Sequence, residues 1–214
     1  MSPAARRVRL NARRSAAPLA ARWVALLLGV GLGAPASAWV LTLTPGAKQL
    51  FLMVAVGSVA ATNPTINTVS VSVPAASVGN GAALAMTSDS TQSTSPYDNY
   101  AVCNPPAQVY VGGSYRQPNA TTGAATATLQ VSTPASLTSG TDSIPFSQIS
   151  WTSTANGNAA ADLPAGTFNG GTLFLANIGR NTFVENCFTY SYANSALVPA
   201  GTFTGRAVFT LVVP

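Results

Sequence analysis

From residue 39 onward, apolar and polar side chains alternate with a period of two. Val69, Val71 and Val73 are interleaved with Ser70 and Ser72, and Phe188, Tyr190 and Tyr192 with Thr189 and Ser191. This period sends successive side chains to opposite faces of an extended strand. Helix signals are weak, because stretches free of Gly and Pro are rare and β-branched residues are frequent. The pattern predicts about ten strands. They are drawn from segments 39–44, 49–56, 66–73, 83–87, 100–103, 109–115, 124–132, 146–153, 172–178, 183–192 and 205–213, one of these being surplus. Turn sequences separate them: Pro45-Gly46, Gly79-Asn80-Gly81, Asn104-Pro105-Pro106, Asn156-Gly157 and Asn169-Gly170-Gly171. Short strands at this spacing, without helices between them, predict an all-β fold. The expected form is an antiparallel immunoglobulin-like β-sandwich, with a barrel as the alternative.

A short motif occurs twice, Pro-Ala-Gly-Thr-Phe-Asn-Gly at 164–170 and Pro-Ala-Gly-Thr-Phe-Thr-Gly at 199–205. Two copies are too few for a solenoid, which needs at least three. The motif reads as one turn type used twice, with the Phe entering the core at the head of the next strand.

The first 38 residues follow a different pattern. A basic stretch runs to Arg22, an apolar stretch follows at 23–33, and Ala34-Pro35-Ala36-Ser37-Ala38 supplies small residues at the spacing a signal peptidase accepts. The apolar stretch is about 11 residues long, whereas crossing a bilayer takes about 20. Residues 1–38 therefore read as a cleavable signal peptide, with an uncleaved signal anchor as the alternative. The pairs Arg6-Arg7 and Arg13-Arg14 hint at the route that exports folded proteins. The rest, 39–214, reads as a single domain with no membrane segment in its mature form.

Locating the charges alters the picture given by the net charge of +5. Beyond residue 38 the basic residues are Lys48, Arg116, Arg180 and Arg206, against Asp89, Asp98, Asp142, Asp162 and Glu185. Scattered cations of this kind exclude nucleic acid as a partner, since phosphate binding needs clustered Lys and Arg.

The chain has two cysteines and no histidine. An even cysteine count in an exported chain predicts a Cys103–Cys187 disulfide, with two buried free thiols as the alternative. Two cysteines without histidine leave zinc short of ligands. The absence of histidine removes Ser-His-Asp and Cys-His catalysis, and no motif pairs two carboxyls as a glycosidase requires. Asp98, between Tyr97 and Tyr100, reads as an Asp ordering a turn or as part of a sugar site. Lys48 reads as a solvated loop residue, and Asp89 and Asp142 lack the carboxylate density a calcium site needs. No catalytic residue, metal site or cofactor is expected. Trp151 is expected in the core, and Tyr110, Tyr115, Tyr190 and Tyr192 are expected to pack internally rather than form a surface row for sugar stacking.

The C-terminal stretch 198–214, Val-Pro-Ala-Gly-Thr-Phe-Thr-Gly-Arg-Ala-Val-Phe-Thr-Leu-Val-Val-Pro, resembles the final strand of bacterial chaperone–usher pilus subunits, including the spore-coat-U-like branch. There a Pro-x-Gly-Thr-aromatic turn leads into an alternating last strand. The signal peptide, the single disulfide and the charge-poor Thr/Ala/Gly composition agree with it. Cys103 lies deeper in the chain than the first cysteine of those subunits, and Pro214 stands where an aromatic is common. The resemblance implies assembly by strand donation, in which a neighbour's N-terminal extension fills an apolar groove. Trp39, Leu41 and Leu43 are the candidate donor strand, with an ordinary first strand as the alternative. Val208, Phe209, Leu211 and Val213 are the candidate acceptor strand. The functional expectation is a secreted or cell-surface structural or adhesive protein, reached through the periplasm, whose partners are other copies of itself or related subunits. The alternative is a secreted carbohydrate-binding sandwich.

Overall fold

The computed structural model describes residues 43–59, 67–118, 123–155 and 161–214. The signal-peptide segment 1–38, the donor residues Trp39 and Leu41, and the Asn156-Gly157 turn lie outside the described residues. The described residues form an all-β fold of antiparallel strands packed as two main layers.

The first layer is a seven-stranded sheet, β11-β10-β13-β6-β1-β2, with β4 also paired to β13. Its strands are β1 (Gln49–Val54), β2 (Gly57–Val59), β4 (Leu84–Ala85), β6 (Val109–Arg116), β10 (Ile149–Ala155), β11 (Gly166–Thr167) and β13 (Thr182–Tyr192). The second layer has three strands in the order β12 (Thr172–Gly179), β7 (Thr126–Ser132) and β14 (Val208–Val212). Two small ribbons complete the set: β3 (Val69–Ser70) with β5 (Thr87–Ser88), and β8 (Ser136–Ser139) with β9 (Asp142–Pro145).

The period of two fills the space between the layers. Val109, Val111 and Tyr115 of β6 and Phe188, Tyr190 and Tyr192 of β13 meet Ala127, Leu129 and Val131 of β7, all buried. Trp151 is in this core as expected. Its ring stacks on Phe188 and its Nε1 donates to the Pro164 carbonyl at 2.9 Å. That donation satisfies a polar group that burial would otherwise strand.

The repeated motif has two outcomes. In the first copy Gly166 and Thr167 form β11 against β10, and Phe168 is buried beside Trp151 and Phe146. In the second, Thr204 makes only a bridge to Thr138, and Phe203 packs half-buried against the core.

Several strands differ from expectation. Segment 49–56 is broken by a turn at Ala55, whose φ of 52° opens the β1–β2 hairpin. A β-hairpin turn wants this left-handed backbone, and glycine or asparagine usually supplies it. Segment 100–103 is no strand but a loop with one bridge, Thr94 to Ala101. Of segment 66–73, residue 66 lies outside the described residues, and among the rest only Val69–Ser70 is strand. Of segment 39–44, only Leu43 and Thr44 are described, and neither is in a strand. The β8–β9 hairpin was not expected. Its strands are short and polar, and its turn is set by Gly140 at φ 60°.

Candidate functional site: an open strand edge and a capped sheet face

Two features stand apart from the ordinary core. The first is the edge of the smaller sheet. β14 pairs with β7 on one side, and no strand pairs with its other side among the described residues. Its inward residues Phe209 and Leu211, and Val213 just beyond it, are half-buried, and so are Leu50, Leu52 and Val54 of the facing β1. Their counterparts on β6 and β7 are fully buried. The core therefore thins out between β1 and β14, leaving apolar side chains that one more strand would cover.

The outward residues Val208 and Val212 are 47% and 40% exposed. A near-continuous apolar run argues for cover on both faces, yet the outer face of this strand is part-exposed. Of the four candidate acceptor residues, Phe209, Leu211 and Val213 face the thinned core and Val208 faces outward. Polar Thr and Ser neighbours on β7 make the outer face tolerable in water.

The second feature is the outer face of the larger sheet. On it Phe51 and Met53 of β1, Tyr110 of β6, and Cys187 of β13 form a second, smaller core with Val102 and Cys103. The loop carrying Cys103 lies over this face and is fastened by the Cys103–Cys187 disulfide, with Cα atoms 5.5 Å apart. Such a loop, here called the cap, would otherwise leave its backbone polar groups short of partners. Val102 and Cys103 N–H both donate to the Ser93 carbonyl, and Ser95 N–H donates to the Tyr100 carbonyl. Asp98 accepts from Tyr100 N–H at 3.0 Å, so its part is to order the turn.

A carboxyl lies beneath the cap. Glu185 is 7% exposed and accepts from the Tyr110 hydroxyl at 2.8 Å. Burial raises its pKa above the ordinary carboxylate value. Hydrogen bonds from Ser95 and Tyr110 oppose that rise, and the charges of Asp98 and Asp162 add to it. Tyr110 is itself held well above the usual phenol range, first by burial and then by Glu185. Gly112, the Cα partner of Glu185, leaves room for this contact: a Cβ there would lie 2.8 Å from Cζ of Tyr110.

Toward the end of β6 this face opens into a cleft of about 210 Å³ lined by Leu43, Phe51, Tyr97, Ser114, Gln49 and Arg116, together with Pro96. Tyr97 stacks on Phe183 with ring centroids 4.2 Å apart and meets Phe51 edge-on at 6.0 Å. The N–H of Leu43 donates to the Asn181 carbonyl at 3.0 Å. Leu43 is thus the one candidate donor residue that is described, and it sits at this cleft rather than along β14.

Tyr110, Tyr115, Tyr190 and Tyr192 are all buried, so they form no surface row. Lys48 and Asp142 are exposed, and Asp89 accepts from Thr68 N–H at 2.9 Å. Among the described residues no three metal-ligating side chains cluster, and no helix is long and apolar enough to cross a membrane. The sequence reading missed the Glu185–Tyr110 pair and the cleft, because their members are far apart in the chain. Glu185, the one glutamate in the sequence and the one charged residue of β13, was the available signal. Comparison of the chain with protein-family models, curated proteins and solved structures gives no match.

Proposed function

We propose that this chain is a secreted or cell-surface structural protein, with an adhesive role, that assembles with copies of itself or related subunits by strand addition. The observation that carries the reading is the thinned core between β1 and β14, beside an unpaired strand edge. An exposed apolar edge is an association hazard that monomeric proteins blunt with charge or proline. Val208–Val212 contains neither; Arg206 and Pro214 flank it.

The strand order supports the same reading. In this reading β1, β6, β7, β10, β13 and β14 stand for strands A to F of an immunoglobulin-like sandwich, β10-β13-β6-β1 over β7-β14, and β2, β11 and β12 are additions to it. Strand G, which would lie along the free side of β14, has no counterpart among the described residues. The occupant proposed for that position is segment 39–44 of a second copy, whose Trp39, Leu41 and Leu43 form one apolar face.

The test is light scattering on the exported protein with and without residues 39–44. The intact protein is expected to form concentration-dependent oligomers. The shortened one should stay monomeric and keep its disulfide and its β circular-dichroism spectrum. A shortened protein that unfolds, together with an intact protein that stays monomeric at high concentration, makes 39–44 an internal strand and overturns the reading.

A further inference from the structure

The cleft on the capped face is independent of the strand edge, and its chemistry points to a ligand. Its floor is Phe51 and Ser114, Cα partners on β1 and β6. Arg116 and its partner Gln49 close one side: an Nη of Arg116 donates to Gln49 Oε1 at 2.8 Å. The Arg116 Nε is buried without an acceptor, and no carboxylate pairs with this guanidinium among the described residues. The Tyr97 hydroxyl is also buried, beside the Ser114 hydroxyl but without the geometry of a hydrogen bond. Buried donors left this way cost free energy that an incoming acceptor recovers.

Register adds to the positive field. Gln49 opposes Arg116 and Thr182 opposes Tyr115, so the start of β1, the end of β6 and the start of β13 share one end of the sheet. Lys48, Arg116 and Arg180 therefore gather there, and Arg206 is the one basic residue beyond position 38 that does not. Glu185, further along the same face, is already engaged by Tyr110 and Ser95.

We propose that this cleft binds a carboxylate-bearing sugar, one uronic acid unit of a polysaccharide. Arg116 holds the carboxylate, for which a guanidinium offers a planar fork of donors. Phe51 and Pro96 take the apolar face of the ring, and Gln49 and Ser114 take its hydroxyls, since each can donate and accept. The volume of about 210 Å³ suits one ring, whereas sites for drug-sized ligands start at about 300 Å³. A peptide carboxylate is the poorer fit. Peptides dock on sheets by adding to a free strand edge, and β1 and β6 are paired with each other beneath the cleft.

The experiment is calorimetric titration of the full exported chain with trigalacturonate, the matching neutral galactose trimer and a short acidic peptide. Trigalacturonate is expected to bind about tenfold or more tightly than either control, and to weaken as salt is added. Arg116→Gln should lose about tenfold or more of that affinity, and Gln49→Ala a smaller part. Equal binding of the neutral trimer, equal binding of the peptide, or no binding of trigalacturonate overturns the proposal. If Arg116→Gln does not fold, uronate binding by the unaltered protein that is insensitive to salt overturns it instead. Leu43 also belongs to the proposed donor segment, so the titration is run at a concentration where light scattering shows the chain monomeric, and uronate binding there stands or falls separately from strand addition.

Discussion

At the scale of single residues, the capped face depends on a glycine, a tyrosine and a carboxyl that lie on neighbouring strands. Gly112 is a glycine for want of space, since Tyr110 is fully buried and its hydroxyl is held by Glu185. Gly112→Ala should therefore destabilise the domain by about 1–3 kcal/mol, the usual cost of overpacking, measured as a lower denaturant midpoint. Glu185 ties stability to pH. Its pKa is raised in the folded state, chiefly by burial, so the folded domain holds this proton more tightly than the unfolded chain does. The stabilisation is complete below the unfolded value, about 4.3, and is lost as pH rises through the raised folded value. Asp162, also raised by burial, acts in the same direction. Melting temperatures measured across this acidic-to-neutral window should fall less steeply for Glu185→Gln than for the unaltered protein. An unchanged slope would show that the carboxyl is not held as described.

At the scale of elements, the cap is the loop 93–104, which brings one β-bridge of its own, Thr94 to Ala101. Its fastening is the disulfide, which joins residues 84 apart in sequence. Replacing both cysteines by serine should cost about 4–5 kcal/mol under the chain-entropy view. Denaturant unfolding of the double variant, compared with the oxidised protein, checks this. The cap covers the side of the larger sheet that faces away from the main core, so hydrogen–deuterium exchange in the double variant should rise first in 93–104. Uniform loss of protection across both sheets would show instead that the cap and the sandwich open together. The strands that were legible in the sequence are those where one face is buried and the other is not. In β7, and in β13 from Phe188 to Tyr192, polar and apolar residues alternate as the pleat demands. Those that were missed, β2, β8, β9 and β11, have two to four residues each, too few to display a period. Of the candidate site, the disulfide and the last strand could be read. The cleft could not, since Leu43, Tyr97 and Arg116 share no motif.

At the scale of the molecule, the sandwich is nearly uncharged and asymmetric. Three of its four cations stand at one end, and its core thins at one margin. A protein with such a margin must keep it covered or use it, which is the physical basis of the assembly reading. The proposed export has a direct check. The mature protein should begin at Trp39, and intact-mass measurement of the secreted product should match cleavage after Ala38. A start many residues away, or an unprocessed product in the inner membrane, would contradict that boundary.

The sequence by itself determined the fold class, because a period of two with frequent β-branched residues and closely spaced turns admits little else. It also pointed to the disulfide, since two cysteines can pair in only one way, and the structure decided it against two free thiols. The tertiary structure decided which strands are neighbours, and with that which faces are covered. β14 lies at a sheet edge because β12 and β14 flank β7, an order that no local pattern encodes. Arg116 faces Gln49 and Glu185 faces Gly112 only through the registers of β6 with β1 and β13. Register is a long-range property, set by how the apolar faces of distant strands fit together in one core.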